Sequence, residues 1–228
     1  MSLKFNKHQI ERFSRQIILK DIGTLGQNKI IKSRGLIIGM GGLGCPVAEF
    51  LTRAGVGFIG IIDSDKVDLS NIHRQSLYDI GDLKKSKVIA ARKKLKKINS
   101  KIKVSCHKIR LNKNNYKKIL KNYDYVVDGS DNFKTKFLIN DFCKISKKFL
   151  VSGAISKFDG HVFTFDFKNK NTPCIRSFFQ EKKISDDILN CEYEGILGTV
   201  AGIICTIQAN EILKEILNIG KTLNGYIL

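Results

Sequence analysis

Several residues of this chain have the types and spacing needed to hold a phosphate-bearing ligand. Gly39-x-Gly41-x-x-Gly44 directly follows an apolar run at residues 35–38 and opens a helical pattern. Glycines in that setting permit a tight turn and close backbone approach, so the amide end of the helix faces phosphate oxygens. A purely structural strand-to-helix turn could carry the same glycines. Asp63 separates the two readings. It ends a second apolar run about twenty residues on, where a carboxylate can accept hydrogen bonds from ribose hydroxyls. Together the two features favour a nucleotide site, and the lack of a GxxxxGK[ST] run excludes a P-loop.

A third group, Ser130-Asp131-Asn132, also follows a short apolar run. In an open parallel sheet the carboxyl ends of the strands line one crevice, so Asp131 is expected beside the same ligand as the Gly loop. Two readings of Asp131 stand side by side. It is a Mg²⁺ ligand, direct or through water, or it caps the helix that begins near Phe133. The loop at residues 68–75 should reach the same crevice. There Arg74 offers a planar cationic fork, and Asn71 and Gln75 add neutral donors. A solvated surface loop is the plain alternative. Lys87 lies at the margin of an apolar stripe, four residues before Ala91, whereas Lys93 and Lys97 point away. By position alone it reads more readily as a solvated lysine than as a functional one.

The elements that must position these groups alternate between strand and helix. An amphipathic helix is expected at residues 8–19, strands at 35–38 and 58–62, and helices at 43–53 and 83–98. A β-rich run at 102–107 precedes a Lys/Asn-rich helix near 112–121. Then come a strand at 125–127, a helix at 133–145 and a strand at 149–151. Residues 161–167 alternate as a strand with two different faces, residues 168–194 are polar and irregular, and an apolar helix runs from 197 to about 217. The pattern predicts an α/β fold: a Rossmann-like open, mainly parallel twisted sheet with helices on both faces. One domain over residues 1–228 is expected, with an N-terminal helix at 1–34, a nucleotide-binding core at 35–155, and a crossover loop and C-terminal helix at 156–228.

Bulk properties narrow the class. The 228 residues, 43% hydrophobic and 27% charged, suit a globular domain rather than a disordered chain. Residues 1–8 hold no apolar leader segment, and the longest apolar stretch, 195–207, is shorter than the ~20 residues of a membrane span. A cytoplasmic protein with no membrane partner is the expectation. The six cysteines form no CxxC pair, so reduced thiols are expected, and the four histidines lack metal-ligand spacing. Net charge is +19, but lysine, isoleucine and asparagine abound in every segment and no aromatic–basic interleaving marks a nucleic-acid surface. A nucleic-acid partner is therefore not expected.

An ordered series of motifs resembles the ThiF/MoeB/HesA family, bacterial relatives of ubiquitin-activating enzymes. It comprises Arg12-Phe13-Ser14-Arg15-Gln16-Ile17, residues 39–44, Ala54-Gly55-Val56-Gly57, Asp63-x-Asp65, residues 68–75, Lys87, residues 130–132, Leu138-Ile139-Asn140-Asp141, Val151-Ser152-Gly153-Ala154 and residues 195–211. The resemblance implies an ATP-dependent adenylyltransferase acting on the C-terminal glycine carboxylate of a ubiquitin-like sulfur carrier. It implies that Asp63 binds the ribose, and that Gly39, Gly41, Gly42 and Gly44 form the phosphate loop with Gly41 and Gly42 facing the phosphates. Asn71, Arg74, Gln75 and Lys87 would hold the triphosphate, Asp131 would manage Mg²⁺, and Asp65 and Asn132 would complete the nucleotide site. Arg15 would reach the nucleotide of a partner subunit, which implies a homodimer. Cys191 aligns with the crossover-loop cysteine that in thiazole-pathway members takes up sulfur, and an ordinary thiol is its alternative.

One departure concerns zinc. Family members often bind a structural zinc with two CxxC pairs, but Ser177 stands where Cys174 would find its partner. Residues 225–228 offer no second pair, so no zinc site is expected. Cys205, in an apolar helix, reads as core. Three rival readings are an NAD-dependent oxidoreductase on the same core, a non-catalytic family member, and a tRNA-modifying adenylating relative that the positive charge would suit.

Overall fold

The computed structural model describes residues 5–179 and 195–228. Six strands form one sheet in the order β3-β2-β1-β4-β5-β6: β1 Arg34–Ile38, β2 Phe58–Ile62, β3 Lys103–His107, β4 Tyr125–Asp128, β5 Phe149–Ser156 and β6 Asp159–Asp166. The first five are parallel, and β6 returns antiparallel beside β5 through a hairpin. The expected α/β, Rossmann-like architecture is present.

Alternation along the strands explains why helices cover both faces. Ile37, Ile59, Ile61, Val127, Val151 and Val162 point into one apolar core, which α3 (Gly44–Ala54), α4 (Lys87–Ile98) and α8 (Gly198–Leu217) complete. Leu36, Ile38, Val126, Leu150, Phe163 and Phe165 point into the other, closed by α5 (Tyr116–Leu120), α6 (Phe133–Ile145) and α7 (Ile175–Phe178). Strands buried on both sides read as continuous apolar runs, as these do. The two faces expected for residues 161–167 are real, and each meets its own core.

Several expectations need correction. The N-terminal region holds two helices, α1 (Lys7–Ile17) and α2 (Gly23–Lys32), where the sequence suggested one. α2 escaped notice because its buried face is built from Gly26, Gln27 and Asn28 as well as Ile30, which leaves no apolar stripe. α4 begins at Lys87, four residues later than expected, because residues 83–85 form a turn with Lys84 at φ +62° and Ser86 bridges to Lys66. β5 extends to Ser156, so the boundary drawn at 155 falls inside a hairpin. No helix of the described residues is long and apolar enough to cross a membrane.

The strand order reverses between β1 and β4, and the chain leaves them toward opposite faces of the sheet, α3 in one layer and α6 in the other, which opens a crevice at their carboxyl ends. Its floor is the turn after β1. A Cβ on Gly44 would lie 1.8 Å from the Gly39 carbonyl oxygen, so any larger residue forces the turn apart. Gly44→Ala is expected to lower unfolding free energy by about 2–4 kcal/mol in a urea titration, at or above the usual overpacking cost because the obstacle is backbone. Gly202→Ala, inside α8 with open space around its Cβ position, should instead raise it by about 0.5–1 kcal/mol.

Candidate active site

The crevice encloses about 620 Å³ and is lined by the turn after β1, the ends of β2 and β4, the loop at 68–75 and the first residue of α4. Gly39, Gly41 and Gly42 line it. Gly39 has φ +86°, and its Cβ position lies 2.7 Å from the Gly129 carbonyl oxygen. Glycine is thus required there both by conformation and by contact. Gly44, expected at the ligand, lies beneath the loop as a packing residue instead.

Asp63 holds the loop in place. One carboxylate oxygen accepts the Met40 amide at 2.7 Å, and the other accepts the Asp65 amide at 2.7 Å. Each carboxylate oxygen can accept a further bond, so the side chain remains able to take ribose hydroxyls. Asp65 continues the chain of contacts. Its carboxylate lies 3.3 Å from Lys87 Nζ, and its carbonyl accepts the Lys87 amide. Lys87 is only 7% exposed, so the plain reading of a solvated lysine fails. The buried Tyr78 hydroxyl lies within hydrogen-bond reach of the carbonyls of Met40 and Lys87, tying the Gly loop to the start of α4. Behind the loop Cys45 is fully buried, and burial pushes its thiol up to about 12, which makes it inert.

The loop at 68–75 is a structured wall rather than a solvated tail. Asp68 caps the short 3₁₀ turn Leu69–Asn71 through the Ser70 amide. That bond, with Lys84 beside it, holds the Asp68 carboxyl down to about 2. Asn71 accepts from Gln75 Nε2 at 3.0 Å, and Gln75 is buried with its Oε1 unpartnered. The aliphatic stem of Arg74 lies over Gly42, and its guanidinium donates to the Ser70 carbonyl at 3.1 Å. α8 supports this wall from behind, since a Cβ on Gly198 would lie 2.6 Å from the His73 carbonyl oxygen.

Asp131 and Asn132 line the crevice from the β4 side. The cap of α6 is Asn132, whose side chain accepts the Thr135 amide at 2.9 Å, so the capping reading of Asp131 is corrected. Asn132 Oδ1 accepts from the helix and its Nδ2 donates to Asp131, which leaves one amide hydrogen and one oxygen lone pair for other partners. Asp131 stays exposed, accepts from Asn132 Nδ2 at 3.1 Å, and takes part in none of the ion pairs seen among the described residues. Among the described residues no cluster of three or more His, Cys, Asp or Glu could hold a metal. Cys174 is buried at the start of α7 with Ser177 Oγ 3.9 Å from its sulfur. Arg15 is exposed on α1 and does not line the crevice of its own chain. Cys191 lies outside the described residues.

The sequence did not single out the groups beneath the β4 side. Asp128 and Lys136 are 1% and 3% exposed and lie 3.4 Å apart. Lys136 also lines the crevice, as do Lys66 and Arg110 at the β2–β3 end. Only Asp128, at the end of an apolar run, carried a signal that could have been read.

Turn, clamp and cationic wall converge on one crevice at the switch point of an α/β sheet. The chain belongs to the ThiF family, whose pattern matches residues 13–228. It is 42% identical over 225 residues to a Culex quinquefasciatus protein named adenylyltransferase and sulfurtransferase MOCS3, a match covering 99% of this chain and 51% of that one. It is 37% identical over 229 residues to the sulfur carrier protein adenylyltransferase of Thermus thermophilus, covering 99% and 84%. The chain thus spans about half the length of the MOCS3 relatives it matches. Among solved structures, E. coli MccB with ATP superposes with a TM-score of 0.79 at 22% identity, covering 93% of this chain and 65% of that one. That likeness concerns the fold.

Replacing Asp63 with asparagine puts an amide NH₂ against a backbone N–H and frees one of the two clamped segments. Asp63→Asn is expected to lose about 1–3 kcal/mol of stability without any ligand, measured by urea unfolding at constant m-value. No loss would mean that the loop stands without its clamp.

Proposed function

We propose that this protein uses ATP to adenylate the C-terminal glycine carboxylate of a ubiquitin-like sulfur carrier. The observation that carries this reading is convergence. The Gly loop, Asp63, Asn71, Arg74, Gln75, Lys87 and Asp131 line one crevice at the switch point of the sheet. A nucleotide fits with its ribose at Asp63 and its phosphates over Gly41 and Gly42, against Arg74 and Lys87. An oxidoreductase would leave Arg74, Lys87 and Asp131 without a task. The relatives named adenylyltransferases support the same reading.

In the reaction a carboxylate oxygen of the carrier attacks the α-phosphorus. The bond from that phosphorus to the bridging oxygen breaks, and pyrophosphate leaves with the electron pair. No proton needs to move, so the residues act by holding in-line geometry and spreading negative charge. Lys87 is suited to this because its partner Asp65 has a half-exposed side chain and can yield the ammonium to a phosphate. Asp131, paired with no cation among the described residues, would be free to hold a Mg²⁺ ion whose other ligands would come mostly from phosphate and water. That ion would screen the triphosphate and stabilise the departing pyrophosphate.

Arg15, on the exposed side of α1, is assigned to the nucleotide site of a second copy in a homodimer. Cys191 is assigned to sulfur uptake after adenylation, and it is what favours a carrier of thiamine synthesis over one of molybdopterin synthesis. The cytoplasm is the expected compartment.

ATP–pyrophosphate exchange driven by a carrier ending in Gly-Gly tests the proposal. Asp131→Ala is expected to cut exchange by at least about 10²-fold, as loss of a transition-state charge partner does. Cys191→Ser should leave exchange unchanged while abolishing any sulfur-linked conjugate seen by mass spectrometry. ATP binding without exchange for every candidate carrier would sink the adenylation reading.

A further inference from the structure

We propose that Lys136 is a positioning residue for Asp131, acting through the buried carboxylate of Asp128; the proposal rests on the nucleotide reading of the crevice. The Asp128–Lys136 pair is closed off from water, with side chains 1% and 3% exposed. A buried ion pair of this kind is weak evidence for stability, because an apolar pair of the same volume often serves as well or better. Its purpose is better read from where the remaining bonds go.

The Asp128 carboxylate is saturated. One oxygen accepts the Ser130 amide at 2.9 Å and the Ser130 hydroxyl at 2.6 Å. The other accepts the Ser152 hydroxyl at 2.6 Å and Lys136 Nζ at 3.4 Å. A carboxylate has about four acceptor sites, so this one has no freedom to turn. Lys136 Nζ donates in addition to the Gly153 carbonyl, which joins the middle of β5 to the same cluster.

The pair therefore staples the end of β4 to the first turn of α6, across the loop that carries Asp131. On one side of Asp131 the Ser130 amide is pinned to Asp128. On the other, Asn132 caps the helix and its carbonyl accepts the Lys136 amide at 3.1 Å. Among the described residues the exposed Asp131 side chain bonds only to its neighbour Asn132, so its place over the crevice is set by this loop and not by its own contacts. Loss of the Lys136 cation leaves Asp128 charged and unpaired in the interior. Water or a turned carboxylate then has to relieve it, and the Ser130 anchor loosens.

The test is a double-mutant cycle on ATP affinity, measured by calorimetry with Mg²⁺ present, joined to amide exchange without nucleotide. Lys136→Met keeps the aliphatic stem and removes the charge; Lys136→Arg keeps the charge. Lys136→Met is expected to weaken ATP binding about tenfold in the native background and less than about twofold in Asp131→Ala, as for residues acting through one another. It should also speed exchange of the Ser130 amide at least about tenfold, with Lys136→Arg restoring both to within about threefold. Should Lys136→Met not fold, Ser152→Ala removes one donor to Asp128 and should show the same non-additivity at smaller size. Equal weakening in both backgrounds, or none in either, overturns the proposal. A native protein that binds no ATP at all overturns the nucleotide reading first, and this inference with it.

Discussion

Two backbone turns touch where β1 and β4 lie side by side, and the crevice depends on there being no side chain between them. The Cβ position of Gly39 lies 2.7 Å from the Gly129 carbonyl oxygen, and that of Gly129 lies 3.0 Å from the Gly44 amide nitrogen. That contact lets α3 start immediately under the β1 turn, so its amide end opens into the crevice rather than into solvent. Everything else at the site is registered against it. Asp63 reaches the loop from β2, Tyr78 ties the loop to α4, and Asp128 fixes the opposite turn.

Two lysine–aspartate pairs border the crevice, and their difference in exposure assigns them different work. Lys87 pairs with an Asp65 side chain that is 56% exposed, so water can compensate the carboxylate if the ammonium turns toward a ligand. Lys136 pairs with an Asp128 that water does not reach and whose other acceptor sites are filled. One pair is exchangeable and the other is fixed. The overall charge of +19 says nothing of this distinction, which arises from burial alone.

What could be read from the sequence follows the same physics. Glycines demanded by backbone contact leave a mark in residue type, so the Gly39–Gly44 turn and Asp63 were visible. The 13 residues of α6 matched their expected bounds because a strong cap, an apolar face and a clear end all agree. The choice between Asp131 and Asn132 as that cap was not legible, since both residue types cap well and only the backbone decides. Lys136 was hidden for a different reason. In a lysine-rich chain a buried cation looks like its solvated neighbours until its carboxylate partner is located in space. Helix α2 was missed because small and polar residues, not an apolar stripe, face the interior.

The pairing of β1 with β4 has a further consequence for how the chain assembles. Arg34, at the start of β1, bonds to Asp124 across 90 residues of sequence, whereas β5 and β6 meet through a tight hairpin. Closing the longer loop costs about 3 kcal/mol more in chain entropy than closing the hairpin. The two walls of the crevice are thus joined by one of the most expensive closures in the sheet, and neither half of the chain contains the crevice alone. A ligand that spans both walls binds only after that closure, so its binding energy is drawn entirely into holding the complete fold together.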